Sequence, residues 1–318
     1  MQDTKSSGTY SYSSPPIIAI TGPTGVGKTT LSLALAKLLK GEIVSVDSRQ
    51  IYKELNIGTA KPSPEELAEV PHHFISESSI QDPISSGQFA GLAEIRINEI
   101  LQQGKVPILV GGSTLYLHAL QHGMADIPEV DPEIRNSLEE RLKKEGGEKL
   151  YQELIDVDPV VAGTMDPTKS QRLIRALEVY HGTGRPLSFF HAKTQPPRFK
   201  YKTAVLYLER EVLYNRIDLR IDEMLEEGLV DEVGQLMGMG LDMALPVLKT
   251  IGYREVIEHL QGEHDYDEMV RLLKRNSRRY AKRQFTWFRR FPEYNWIDKN
   301  APTEAVIDAV LQMCAEEG

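Results

Sequence analysis

Five short apolar runs fall at residues 17–21, 42–46, 106–110, 203–208 and 294–297, and between most of them the apolar positions recur at helical spacing. Such runs suit strands buried on both faces, and their alternation with amphipathic helices predicts a parallel, doubly wound α/β sheet. The segment 124–200 breaks that rhythm. It is too long for an ordinary crossover, opens with Ile127-Pro128-Glu129-Val130-Asp131-Pro132, and carries helix-period apolar residues over 133–144, 149–156 and 170–180 with no strand signal. Gly182-Thr183-Gly184-Arg185-Pro186 and Gln195-Pro196-Pro197 punctuate its end. An inserted all-helical subdomain is expected, leaving a discontinuous core domain of residues 15–123 and 201–318. Residues 1–14, rich in Ser, Thr and Tyr and without an apolar signal core, read as a flexible tail.

A chain of 318 residues with 41% hydrophobic content can bury one large core or two modest ones. Its single cysteine, Cys314, excludes an internal disulfide and a cysteine-based zinc site, and suits a reducing cytoplasm. No apolar stretch approaches the roughly 18 residues that a membrane span needs, so no membrane partner is expected.

The net charge of −9 hides an uneven distribution. Residues 271–290 hold nine cations and no acid; removing those nine leaves 28 basic against 46 acidic side chains, a balance of −18. On a helix, positions 271, 274, 275, 278, 279, 282 and 283 fall within about half the circumference. That face suits nucleic-acid phosphates and salt-dependent binding, with a solvated charged face as the alternative. The interleaved Tyr280, Phe285, Trp287 and Phe288 read as core more readily than as stacking platforms. Arg172 and Arg175 share a helical face, which serves a backbone contact or plain solvent exposure. Arg216 and Arg220, four apart, can both reach the crevice of a parallel sheet, or form ordinary ion pairs. His72-His73 has no acid or cysteine at ligand spacing.

Directly after the first strand stands Gly22-Pro23-Thr24-Gly25-Val26-Gly27-Lys28-Thr29, which fits the phosphate loop G-x-x-x-x-G-K-[ST] shared with ATP-binding and other nucleotide-binding enzymes. Its backbone N–H groups and the following helix N-terminus wrap phosphate oxygens. Lys28 would neutralise the outer phosphates, and the Thr29 hydroxyl would sit on Mg²⁺. Many such enzymes hold the metal through an Asp ending a later strand. Here the run 106–110 leads instead into Gly111-Gly112-Ser113-Thr114. The acid at a strand end is Asp47, opening Asp47-Ser48-Arg49-Gln50-Ile51-Tyr52, and in a parallel sheet it faces the same crevice as the loop. It could serve as metal partner, cap of a following helix, or general base.

In these strings, together with Ile57-Gly58-Thr59-Ala60-Lys61-Pro62, Gln171-Arg172-Leu173-Ile174-Arg175-Ala176-Leu177-Glu178, Gly252-Tyr253-Arg254 and Lys282-Arg283-Gln284-Phe285-Thr286-Trp287-Phe288-Arg289, the chain closely resembles the tRNA dimethylallyltransferase (tRNA isopentenyltransferase) family, over about residues 17–296. It departs from the family at Ser113-Thr114, where Thr-Gly is usual, and its lone cysteine rules out the zinc finger of many eukaryotic members. The resemblance implies a P-loop NTPase-like sheet with an inserted helical subdomain. It also implies transfer of a dimethylallyl group from dimethylallyl diphosphate to N6 of the adenine 3′ of the anticodon in tRNA, with Mg²⁺ and in a monomer. Asp47 would then be the base, with Lys28, Thr24, Arg220 and Ser113 completing the catalytic set. By the same resemblance the tRNA anticodon stem-loop is touched by Asp47, Ser48, Arg49, Gln50, Ser113, Arg135, Gln171, Arg172, Leu173, Ile174, Arg175, Lys282, Arg283 and Arg289, with core and insertion clasping it. A nucleotide or small-molecule kinase, a prenyltransferase of free adenylate and a non-catalytic RNA-binding module are the rival readings. The first two give the basic helix no purpose, and the third leaves the phosphate loop unused.

Overall fold

The structure is a computed structural model that describes residues 15–243 and 245–315; the expected tail, 1–14, lies outside the described residues. Strand β1 (Ile17–Thr21) is buried at every position, and the phosphate loop joins it to helix α1 (Lys28–Leu39). Strand β2 (Glu42–Ser45) follows, then α2 (Pro64–Glu69), β3 (His72–His73), α3 (Ser86–Gln102), β4 (Pro107–Val110) and α4 (Thr114–His122). Ser63 and Ser85 start α2 and α3 through reciprocal capping boxes with Glu66 and Gln88.

The insertion is helical throughout: α5 (Pro132–Glu145), α6 (Gly147–Val157), α7 (Pro159–Thr164), α8 (Ser170–Thr183) and α9 (Leu187–His191). Asp131 caps α5 with Pro132 in its first turn, and Gly184, at a positive φ of 67°, ends α8. The short helices α7 and α9 escape the periodicity because five or six residues cannot display a 3.6-residue repeat. The unit has its own core, built on Leu150, Leu154, Leu173, Ile174 and Leu177, all fully buried.

The chain then returns through β5 (Tyr201–Tyr207), α10 (Arg210–Glu226), α11 (Leu229–Gly238), α12 (Tyr253–Leu260), α13 (Tyr266–Phe288), β6 (Asn295–Asp298) and α14 (Thr303–Ala315). The six strands form one sheet in the order β3-β2-β4-β1-β5-β6, every pairing parallel. The fold is therefore P-loop NTPase-like, as expected. The two-residue edge strand β3 is an addition to the expected set, and it is too short to carry a hydrophobic period. The chain divides after Gln121 and before Arg198, so the insertion is 122–197, a shift of two residues at the start and three at the end. Because all strands run the same way, the segments after β1, β2, β4 and β5 emerge on one edge of the sheet.

Candidate functional site

The loop after β1 needs glycine at its first position: Gly22 has φ 143°, and a Cβ there would stand 2.5 Å from Leu206 O on β5. Pro23 and Val26 are buried, which leaves the backbone to do the gripping. Lys28 Nζ donates to the Gly22 and Pro23 carbonyls at 3.0 and 2.9 Å, across the mouth of the loop. Arg220 arrives from α10, its Nη1 3.3 Å from Thr24 Oγ1. Enclosure pushes the Lys28 ammonium down to about 8, the Arg220 charge adds to the shift, and Asp47 opposes it. Desolvation likewise lowers Arg220, against the pull of Asp47 and Glu223. Positive charge is thus held in a poorly solvated place, the condition under which an incoming anion gains most.

The loop after β2 presents Asp47. Its Oδ1 accepts from Arg49 N at 2.9 Å and Gln50 N at 3.3 Å, so the carboxylate caps a turn over residues 48–51 and not the helix expected after it. Both bonds fall on Oδ1; Oδ2 takes no hydrogen bond from the described residues. Ser113, from the turn after β4, accepts from Ser48 N through its hydroxyl at 2.9 Å and also lies 3.2 Å from Ser48 Oγ. With 9% exposure it braces the Asp47 loop instead of offering a free surface. Thr114, standing where the family usually has glycine, opens α4 without a positive φ, so no glycine is needed there. Gln50 Nε2 donates to Thr59 O and Ala60 O, and the 57–59 turn is held in its turn by Glu232, which accepts from Ile57 N at 2.8 Å and from Tyr253 Oη at 2.6 Å. The string 57–62 therefore supports the Asp47 loop, and Gly58 and Thr59 also reach the cavity wall.

These loops enclose a cavity of about 640 Å³ that includes Thr24, Lys28, Thr29, Asp47, Ser113 and Arg220 in its lining. Seven cations, Lys28, Arg49, Arg216, Arg220, Lys249, Arg254 and Arg283, line it against two acids, Asp47 and Glu223. Buried Nε of Arg49 has no protein partner. Tyr280 of α13 lies in the wall, its hydroxyl pushed up to about 12 by desolvation and by the Asp47 charge.

Helix α13 departs from a wholly free basic face. Lys274 pairs with Asp222 at 2.6 Å and Arg278 with Asp218 at 2.5 Å, both acids on α10, while Arg271 pairs with Glu268 on its own helix. The neutralising acids lie outside the stretch 271–290, so composition within that stretch could not show them. Lys282, Arg283 and Arg289 remain exposed. Phe288 is core and Phe285 stacks on Trp296 at 5.8 Å, as expected of aromatics on this helix. Gln284 has a role that no sequence motif announced. It is 3% exposed and bonded to both the phosphate loop and the turn after β4. A readable signal existed, since an amide at 284 falls on the buried stripe of Ala281 and Phe288.

In the insertion, Arg135 donates to Gln171 Oε1 at 2.6 Å and to Glu178, which also pairs with Arg175, while Arg172 is exposed. Leu173 and Ile174 offer no side-chain surface for the expected tRNA contact. Both side chains are fully buried in the insertion's own core, because they occupy the apolar face of α8.

A family model described as IPP transferase matches residues 50–291. A tRNA dimethylallyltransferase of Salinibacter ruber is 59% identical over 284 residues, covering 89% of this chain and 88% of that one. Another, of Chlorobium chlorochromatii, is 44% identical over 92% of this chain and 96% of that one. Among solved structures, the full-length tRNA isopentenylpyrophosphate transferase of Bacillus halodurans is similar at TM-score 0.69 and 38% identity, covering 95% and 97% of the two chains. A eukaryotic dimethylallyltransferase acting on tRNA is similar at TM-score 0.76 and 30% identity, covering 90% of this chain and 74% of that one. With a family model spanning most of its length and relatives of this identity along nearly all of it, the chain belongs to the tRNA dimethylallyltransferase family.

Proposed function

We propose that this chain transfers the dimethylallyl group of dimethylallyl diphosphate to N6 of the adenine immediately 3′ of the anticodon in tRNA, releasing diphosphate. The observation that carries the reading is the cationic cavity into which both the phosphate loop and Asp47 open. In the reaction the C1–O bond to diphosphate breaks, a C1–N6 bond forms, and the N6 proton passes to Asp47. The exocyclic amine is a weak nucleophile because its lone pair is delocalised into the ring, so proton removal during attack matters. Lys28, Arg220 and the loop N–H groups stabilise the charge growing on the leaving group. No water needs activation, which accounts for the absence of an acid after β4.

The residues fit Mg²⁺ in the way that ion is often held, by one hard protein oxygen, substrate phosphates and water. Thr29 lines the cavity beside Lys28 and would hold the ion, which supplies further positive charge to the diphosphate. Among the described residues no cluster of three His, Cys, Asp or Glu side chains is placed to hold a metal.

An adenine stacked in an anticodon loop cannot reach an enclosed carbon, so the nucleotide is flipped out into the cavity. Tyr280 and Arg49 lie in the wall of that cavity. Lys282, Arg283 and Arg289, with Arg135, Gln171, Arg172 and Arg175 of the insertion, are the candidates for RNA contact. The lone cysteine suits the cytoplasm, and no helix among the described residues is long and apolar enough to cross a membrane.

The direct test is incubation with dimethylallyl diphosphate, Mg²⁺ and unmodified tRNA, followed by nucleoside mass analysis. A five-carbon increment on adenosine is expected; ATP turnover with a small metabolite and no increment would sink the proposal. Neutralising Lys282 and Arg289 together is expected to reduce the slope of log affinity against log salt by about two, one per phosphate contact. Neutralising Lys274 and Arg278, already occupied by Asp222 and Asp218, is expected to leave that slope unchanged.

A further inference from the structure

Three segments meet at the side chain of Gln284. Its Oε1 accepts from Thr24 N in the phosphate loop at 3.0 Å, and its Nε2 donates to Gly112 O after β4 at 2.8 Å. The two bonds fix which end is which, since a flipped amide would set donor against donor and acceptor against acceptor. Space is equally committed: a Cβ on Gly112 would stand 2.5 Å from Nε2. Thr24 takes the Arg220 bond on its hydroxyl, and Ser113, next to Gly112, holds Ser48 N beside Asp47. One amide therefore ties the loop for the leaving group to the turn that braces the base. At 3% exposure it forms part of the cavity wall with its amide committed to these two bonds, whereas its neighbours Lys282 and Arg283 are exposed.

We propose that Gln284 is a positioning residue that sets the separation between the phosphate loop and the Asp47 loop, so that donor carbon and acceptor amine meet within reacting distance; this rests on the reaction proposed above. Glutamine suits the task because one side chain must accept at one end and donate at the other. Glutamate has no donor for Gly112 O, and asparagine, one methylene shorter, cannot span both partners from the same backbone position. Misplacement of reacting groups by about 1 Å can cost about 10²-fold in rate.

The test compares wild type with Gln284→Asn, which keeps the amide, and Gln284→Met, which keeps the volume, each checked for cooperative thermal unfolding. At saturating donor and tRNA, kcat is expected to fall 10- to 100-fold, with tRNA affinity within about twofold of wild type. A folded variant with kcat within about twofold of wild type would overturn the proposal. So would a loss of rate matched by an equal loss of tRNA affinity, which would make the residue part of RNA binding, or the unfolding of both variants, which would make it a residue of the fold. Absence of prenyl transfer in wild type would instead refute the proposed reaction, so the two failures are distinguishable.

Discussion

Asp47→Ala is expected to lower the rate of dimethylallyl transfer by 10²- to 10⁴-fold while tRNA affinity stays within a few-fold of wild type. A general base contributes about that factor, equivalent to roughly 2.7–5.5 kcal/mol of barrier. The hydrogen bonds at Asp47 complicate the alanine result, because Oδ1 also holds Arg49 N and Gln50 N and truncation releases the turn as well. Asp47→Asn separates the two roles. Its side-chain carbonyl can still accept both bonds, yet it cannot take a proton from the amine. If Asp47 is the base, the Asn variant is as slow as the Ala variant. If the residue serves only as a turn cap, Asn restores most of the rate, and single-turnover measurements with saturating tRNA would reveal it.

That discrimination exists because capping and catalysis use the same carboxylate, a point that sequence could pose and not resolve. What was legible was whatever repeats or is locally encoded. The apolar runs placed five of the six strands, the phosphate-loop spelling placed Lys28 and Thr29 in the cavity, and the helical period gave the insertion to within three residues. What was not legible depends on contacts between distant segments. β3 exists because His72 and His73 pair with Ile43 and Val44, and two residues hold no pattern. Lys274 and Arg278 of α13 are paired by Asp222 and Asp218, about 50–60 residues away in sequence, so the acids inside the stretch could not show which of its cations are free. Within the string 171–175, α8 turns the side chains of Leu173 and Ile174 inward and leaves Gln171 and Arg172 outside, a division that a motif read as a whole does not show.

Lys28→Ala is expected to reduce kcat by 10²- to 10³-fold, about 2.7–4 kcal/mol, the usual cost of removing one preorganised group that faces developing charge. Lys28 qualifies because its ammonium already crosses the mouth of the loop and is bonded to two carbonyls, so little reorganisation accompanies the chemical step. Arg220 does not replace it, being directed at Thr24 from the α10 side. Lys28→Arg retains the charge but is expected to recover little activity. A planar guanidinium cannot occupy the compact position 3.0 and 2.9 Å from the Gly22 and Pro23 carbonyls without displacing the loop. The kinetic constants then tell how the charge acts. A fall in kcat with a modest change in donor KM means that Lys28 binds the departing diphosphate more tightly than the intact donor. A raised donor KM at unchanged kcat would confine it to ground-state binding, and weaker product inhibition by free diphosphate should accompany either result.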